Sequence, residues 1–160
     1  MKGNGIHNPA IEDLEEIKIV GFRVLCEGDQ YIDEIPKAAF QLNERIDEIQ
    51  QVTNLSVQYG AFIIDHYSEA EDGYWIGVEV KEYDNIPEGM ASLTIPPQRY
   101  AVLKHTGANG KIRDSYASLH NWIKENGFNR ELNKWHLERY HSWSNKNHIS
   151  VDLLDTVRKS

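Results

Sequence analysis

The run Trp135-His136-Leu137-Glu138-Arg139-Tyr140-His141-Ser142-Trp143 brings acid, base and aromatic side chains together in one short stretch. On an extended strand, side chains alternate between faces. His136, Glu138 and Tyr140 then share one face, and Leu137, Arg139 and His141 share the other. Arg139 and His141 suit a wet face, which turns Glu138 inward beside Tyr140. A buried carboxylate costs several kcal/mol unless it is paired, hydrogen-bonded or protonated. An inward Glu138 therefore implies a partner, either within the chain or brought by a ligand. An exposed strand glutamate, or one paired with a nearby arginine or tyrosine, is the plainer reading of the same residues, and on the bare sequence the preferred one.

The aromatic residues add a second kind of chemistry. The chain has four tryptophans and eight tyrosines. Tyr116 and Trp122 fall on a predicted helix, and Phe62 and Trp75 on predicted strands. Aligning the two halves of the chain sets Phe62 in the slot that Glu138 holds in the other half. Aromatic rings beside an acid suit a flat or cationic organic molecule, through stacking and cation–π attraction. Taken singly, each ring is more simply core, and Trp75 shares its face with Glu79 and Lys81. The candidate ligand-binding set is Glu138, Tyr140, Tyr116, Trp122, Phe62 and Trp75, and Glu138 is also the one candidate for catalysis. No G-x-S-x-G, Walker loop, G-x-G-x-x-G or C-x-x-C is present. His105, His120, His136, His141 and His148 lack zinc-site spacing, so no metal or cofactor is expected. The lone Cys26 reads as a small apolar residue and excludes an intrachain disulfide.

These side chains must be positioned by a small set of elements. Residues 1–13 are polar and glycine-bearing and read as a loose tail. A β-branched run at 17–26 predicts a strand. A helix is expected over 34–52, with Ile35, Ala39, Leu42, Ile46 and Ile49 on one face and Pro36 in its first turn. Strands are expected at 57–67 and 74–83, joined by a polar turn ending in Gly73. A break at 84–90 precedes the same order again: strand material over 91–106 interrupted at Pro96-Pro97, a helix over 111–126 capped by Gly127, and strands at 135–143 and 148–157. The fold class that follows is α+β. Two β-α-β-β units, about 14–85 and 89–158, form one antiparallel sheet with both helices on one face and a groove between them. Such internal interfaces commonly hold ligands.

Composition bounds the partners. At 160 residues the chain suits one domain, over 14–160, with a core that needs no staples. Its net charge of −8 repels polyanions, so nucleic acid is not an expected partner, while a cation is attracted. No apolar run is long enough for a membrane span, and no leader is recognisable, which together predict a cytoplasmic chain.

The order Tyr100-Ala-Val-Leu-Lys-His-Thr-Gly, then Ser115-Tyr116 and Trp122-Ile123 on a helix, then Gly127-Phe128, Leu137-Glu138-Arg139-Tyr140 and a β-rich close at 149–157 resembles the GyrI-like family. This is the effector-binding domain of AraC-type and MerR-type multidrug regulators. The resemblance runs from about residue 16 and is strongest over 100–157. It implies paired β-α-β-β units around a drug-binding groove, with Glu138 in the pocket meeting cationic ligands. The chain departs from the pattern in leaving no room for a helix-turn-helix domain and in lacking a proline in its closing Ser150-Val-Asp-Leu-Leu-Asp-Thr-Val run. The resemblance thus implies a stand-alone member. Such members include ligand binders, gyrase modulators, and hydrolases of strained cyclopropane-bearing genotoxic compounds. A small-molecule binder is the first expectation, a hydrolase using Glu138 the second, and a protein-interaction module the third.

Overall fold

A computed structural model describes residues 8–159. Its strands are β1 (Ala10–Leu14), β2 (Ile17–Val24), β3 (Gln58–Ile63), β4 (Tyr74–Val80), β5 (Ala91–Ile95), β6 (Gln98–Gly107), β7 (Phe128–Arg130), β8 (Trp135–Ser142) and β9 (Ile149–Lys159). The helices are α1 (Tyr31–Glu44) and α2 (Ile112–Glu125). All nine strands form one antiparallel sheet in the order β1-β6-β9-β8-β3-β4-β2-β5, with β7 added beside β9. The expected α+β class and the β-α-β-β repeat are both present, as β2-α1-β3-β4 and β6-α2-β8-β9.

Strand register places the helices. One row of cross-strand neighbours runs Leu103–Leu153–Glu138–Gly60–Ile76–Phe22. Directly paired residues point to the same face, so this row lies on one side of the sheet. Leu103 and Leu153 pack under Leu119 and Ile123 of α2. Ile76 and Phe22 pack under Ala38 and Leu42 of α1. Both helices therefore cover the same face, one on each wing. The central strands β3 and β8 lie between them as a floor.

The opposite face has its own core and, among the described residues, no helix. Pro96 and Pro97 alone link β5, at one edge, to β6, near the other. Three Cα steps span at most roughly 11 Å, whereas six strand spacings across a flat sheet would need about 29 Å. The sheet must curl. Ile17, Ile95, Tyr100, Trp75, Trp135 and Leu137, drawn from both wings, meet in one cluster inside the curl. Gly21 and Gly77 sit opposite each other on this inner face, where a Cβ on either would strike the backbone of the facing strand.

Three expectations need correction. The opening does not run loose to residue 13, because Ala10–Leu14 pairs with β6 as an edge strand. Its Ile11 and Leu14 reach two different cores, while Asp13 pairs with Arg99 in solvent. Residues 1–7 lie outside the described residues. The first helix begins earlier and ends earlier than 34–52: α1 stops at Glu44, and a single 3-10 turn over Ile46–Glu48 follows. Its end comes before β-branched Val52, which bridges to Val80. Pro36 is accordingly inside the helix rather than in its first turn, where it leaves the carbonyl of the largely exposed Ile32 (77 %) to solvent. Between the predicted helix and the strand that starts at Trp135, Phe128–Arg130 forms the additional strand β7, three residues long and paired with β9.

Candidate functional site

Glu138 is 9 % exposed and faces the helices from the middle of the floor. Tyr74 donates a hydrogen bond to its Oε1 at 2.6 Å, and Tyr116 donates to its Oε2 at 2.6 Å. Tyr140 adds a longer bond to Oε1 at 3.3 Å. One phenol comes from β4, one from α2 and one from β8, so the carboxylate joins both wings. Burial first, and the adjacent carboxylate second, push all three phenols above the ordinary tyrosine range. At neutral pH they stay protonated and act as donors. The basic side chains Arg139, His136 and Arg130 pair with Asp152 and Asp155 instead, and Lys134 pairs with Glu131.

Gly60 makes the arrangement fit. It pairs directly with Glu138 on one side and with Ile76 on the other. A Cβ there would land on the Tyr74 phenol. Tyr74 thus crosses β3 through the gap that the glycine leaves and reaches the acid two strands away.

A second buried acid lies one row along. Asp155, with its side chain 1 % exposed, sits 3.0 Å from His136 Nδ1 and accepts two hydrogen bonds from Arg130 Nε, at 2.9 and 3.1 Å. His120 Nε2 approaches to 2.8 Å, out of line for a hydrogen bond. Burial pushes the Asp155 carboxyl up, but His136 and Arg130 outweigh it and hold the group below the usual carboxylate range. Burial and Arg130 hold His120 below the usual histidine range. These side chains converge on the carboxylate rather than around a point between them, and no metal-holding group occurs among the described residues.

The expected site residues separate into two sets. Glu138, Tyr140 and Tyr116 meet, as described. Phe62 joins their surroundings, stacked between Tyr74 and His136 with ring centroids 5.9 Å away in each case. It stands across from His136, and the residue facing Glu138 is Gly60. Trp75 points into the curl on the other face, edge-on to Trp135. Strand alternation forces this, because its neighbours Tyr74 and Ile76 both face the helices. Trp122 turns away from the groove and stacks on Phe128. It is six residues from Tyr116, which is about 120° off on a helix of 3.6 residues per turn. Tyr74, Gly60 and Asp155 were not anticipated. The alternation of Tyr74 with Trp75 was the one available signal for Tyr74, and neither of the others carries a local one.

The wet face assigned to Arg139 and His141 forms only at its end, at His141. Leu137 is buried in the curl, and both basic residues pair with Asp152 at 2.8 Å. Glu138 faces the helices as expected, and on the other face Leu137 is buried and Arg139 half-buried, while His141 at the strand's end is exposed.

The walls of the groove differ. Ile35 and Ala39 of α1 pack with Phe62 in one cluster, and Ile32 continues the same flank into solvent. The α2 wall presents Tyr116 and His120, one turn apart. Tyr74, Tyr116 and Tyr140 surround the Glu138 carboxylate at the floor between these walls. An open cleft of about 380 Å³ does exist at the sheet edge, lined by residues including Asp13, Arg99, Glu131 and Lys134. Its ion pair Asp13–Arg99 stands in solvent, while Glu131 of the Glu131–Lys134 pair is largely buried, and the cleft is separate from the groove. No helix among the described residues is long and apolar enough to cross a membrane.

Residues 7–153 match the model of the GyrI-like small molecule binding domain. The transcriptional regulator BrlR of Pseudomonas aeruginosa is 34% identical over 79 residues, which is 49% of this chain and only 28% of the regulator. The crystal structure of the EcmrR C-terminal domain superposes with a TM-score of 0.69 at 16% identity, covering 96% of this chain and 98% of that one. The structure of SAV2435 bound to tetraphenylphosphonium gives a TM-score of 0.66 at 18% identity, covering 95% and 94%. The chain belongs to the GyrI-like small molecule binding domain family.

Proposed function

We propose that this member of the family binds an organic cation with a largely aromatic body in the groove between α1 and α2. The observation that carries the reading is the buried Glu138 carboxylate, held by three phenols and by none of the nearby cations. A carboxylate out of water keeps its charge only where that charge is matched. Phenol donors match it in part, and a ligand cation would match it fully. The same rings would then stack on the ligand or face its charge. The apolar flank of α1 and Phe62 would take the ligand's body. A tetraphenylphosphonium ion lies in the similar fold of SAV2435, and it makes a suitable probe here.

Glu138→Gln keeps the shape and removes the charge. By titration calorimetry it should weaken tetraphenylphosphonium by about 1.5–3 kcal/mol, the worth of an interaction with a charged group, and leave neutral triphenylphosphine oxide nearly unchanged. Equal losses for both ligands would sink the charge role. A hydrolase using Glu138 as base would behave differently. Affinity would stay near wild type, while single-turnover cleavage of a cyclopropane-bearing alkylator would fall by about 10²–10⁴-fold. Both Glu138 oxygens already accept phenol hydrogen bonds, which favours the binder.

A further inference from the structure

Gln58 stands on the same floor as Glu138. It pairs with Tyr140 across β8 and is two residues from Gly60 on β3, so its side chain faces the helices diagonally from Glu138. It is 2 % exposed, and its Nε2 has no hydrogen-bond partner among the described residues. Buried amide donors are nearly always satisfied, because an unpaired one carries the full cost of leaving water. Its neighbours in the row give no acceptor: Val78 and Val20 flank it on one side, and Val151 lies beyond Tyr140 on the other. Every other polar group that faces this floor in β3 and β8 is engaged, Glu138 by phenols, His136 by Asp155 and the Glu131 carbonyl, and Tyr140 by Glu138.

We propose that Gln58 is a specificity-determining residue of the groove, donating its amide N–H to an acceptor oxygen on the ligand. The inference rests on the groove being the binding site, and it narrows the ligand class. The ligand is an organic cation that also carries a carbonyl or ether oxygen, close enough to its charge to span Glu138 and Gln58. Diagonal positions on neighbouring antiparallel strands are about 7–8 Å apart, so a linker of a few bonds suffices.

The test compares pentyltriphenylphosphonium with 4-oxopentyltriphenylphosphonium, which differ in one carbonyl oxygen. Wild type should bind the oxo compound about three- to tenfold more tightly, the range of one neutral hydrogen bond. Gln58→Met, apolar and of similar length, should abolish that preference and hold or raise the thermal midpoint. No preference in wild type, or the same preference in Gln58→Met, would overturn the proposal. So would a lowered midpoint or a failure to fold, since either would mean that the amide is used within the chain. If tetraphenylphosphonium itself fails to bind wild type, the groove reading falls and this inference falls with it. If that ion binds and only the oxo preference is missing, the groove reading stands alone.

Discussion

Tyr74 reaches Glu138 because the strand between them carries no side chain at position 60. The two residues make one device, and each should matter through the other. Gly60→Ala places a methyl group where the phenol ring now lies, so it should cost more than the roughly 1 kcal/mol scale of a strand glycine substitution. In a Tyr74→Leu background the ring is gone, and the alanine should be tolerated far better. Denaturant unfolding of the four proteins would give a coupling energy of about 1–3 kcal/mol, as for residues in direct contact. Additive effects would show that Tyr74 does not pass over Gly60. At this scale little of the site was legible. The inward face of Glu138 could be read from alternation, Tyr140 from its place two residues further on the same face, and Tyr116 from its place on the helix predicted to line the groove. That Tyr74 rather than Trp75 joins them depends on which face of β4 meets the helices, and an apolar run buried on both sides does not declare that.

Asp155 works between elements. It ties β9 to β8 through His136 and to the end of β7 through Arg130, and α2 lies against it through His120. Asp155→Asn should therefore cost roughly 3–5 kcal/mol, as expected when one member of a buried ion pair is removed. The folded-state pKa of Asp155 lies below its unfolded value of about 3.9. Its contribution is thus complete above that value and is lost as pH falls through the lower folded one. The stability gap between wild type and Asp155→Asn, measured by urea unfolding, should be flat from pH 5 to 7 and close below about pH 4. A gap that closes near pH 6 instead would assign the effect to a histidine. Sequence periodicity located α2 closely, since its apolar stripe and capping Gly127 agree, and Gly127 does adopt φ +78°. It placed the end of α1 poorly, because Ile46 and Ile49 continue the stripe after the helix has stopped. Three-residue β7 and the polar edge strand β1 have too few apolar positions to show a period.

The whole molecule is an acidic shell around a curled sheet, with a net charge of −8. This chain by itself should bind no duplex DNA at physiological salt of about 0.15 M. Binding seen only at low salt would reflect screened phosphate contacts and carry no specificity. Sub-micromolar retardation in a gel at 0.15 M salt would contradict the expectation drawn from its charge. Much of the fold at this scale was open to the sequence alone. The repeated order of strand and helix periods determined the two β-α-β-β units, their antiparallel sheet and the shared helix face, because a period reports which side of an element is apolar. The order of motifs over 100–157 also pointed to the family. Only the tertiary structure decided the site. The meeting of Tyr74, Tyr116 and Tyr140 on one carboxylate, the glycine that lets one of them pass, the clamp on Asp155 and the unpaired amide of Gln58 all depend on register across strands distant in sequence. A shift of one residue in that register would reverse every face, and no local pattern in the chain encodes it.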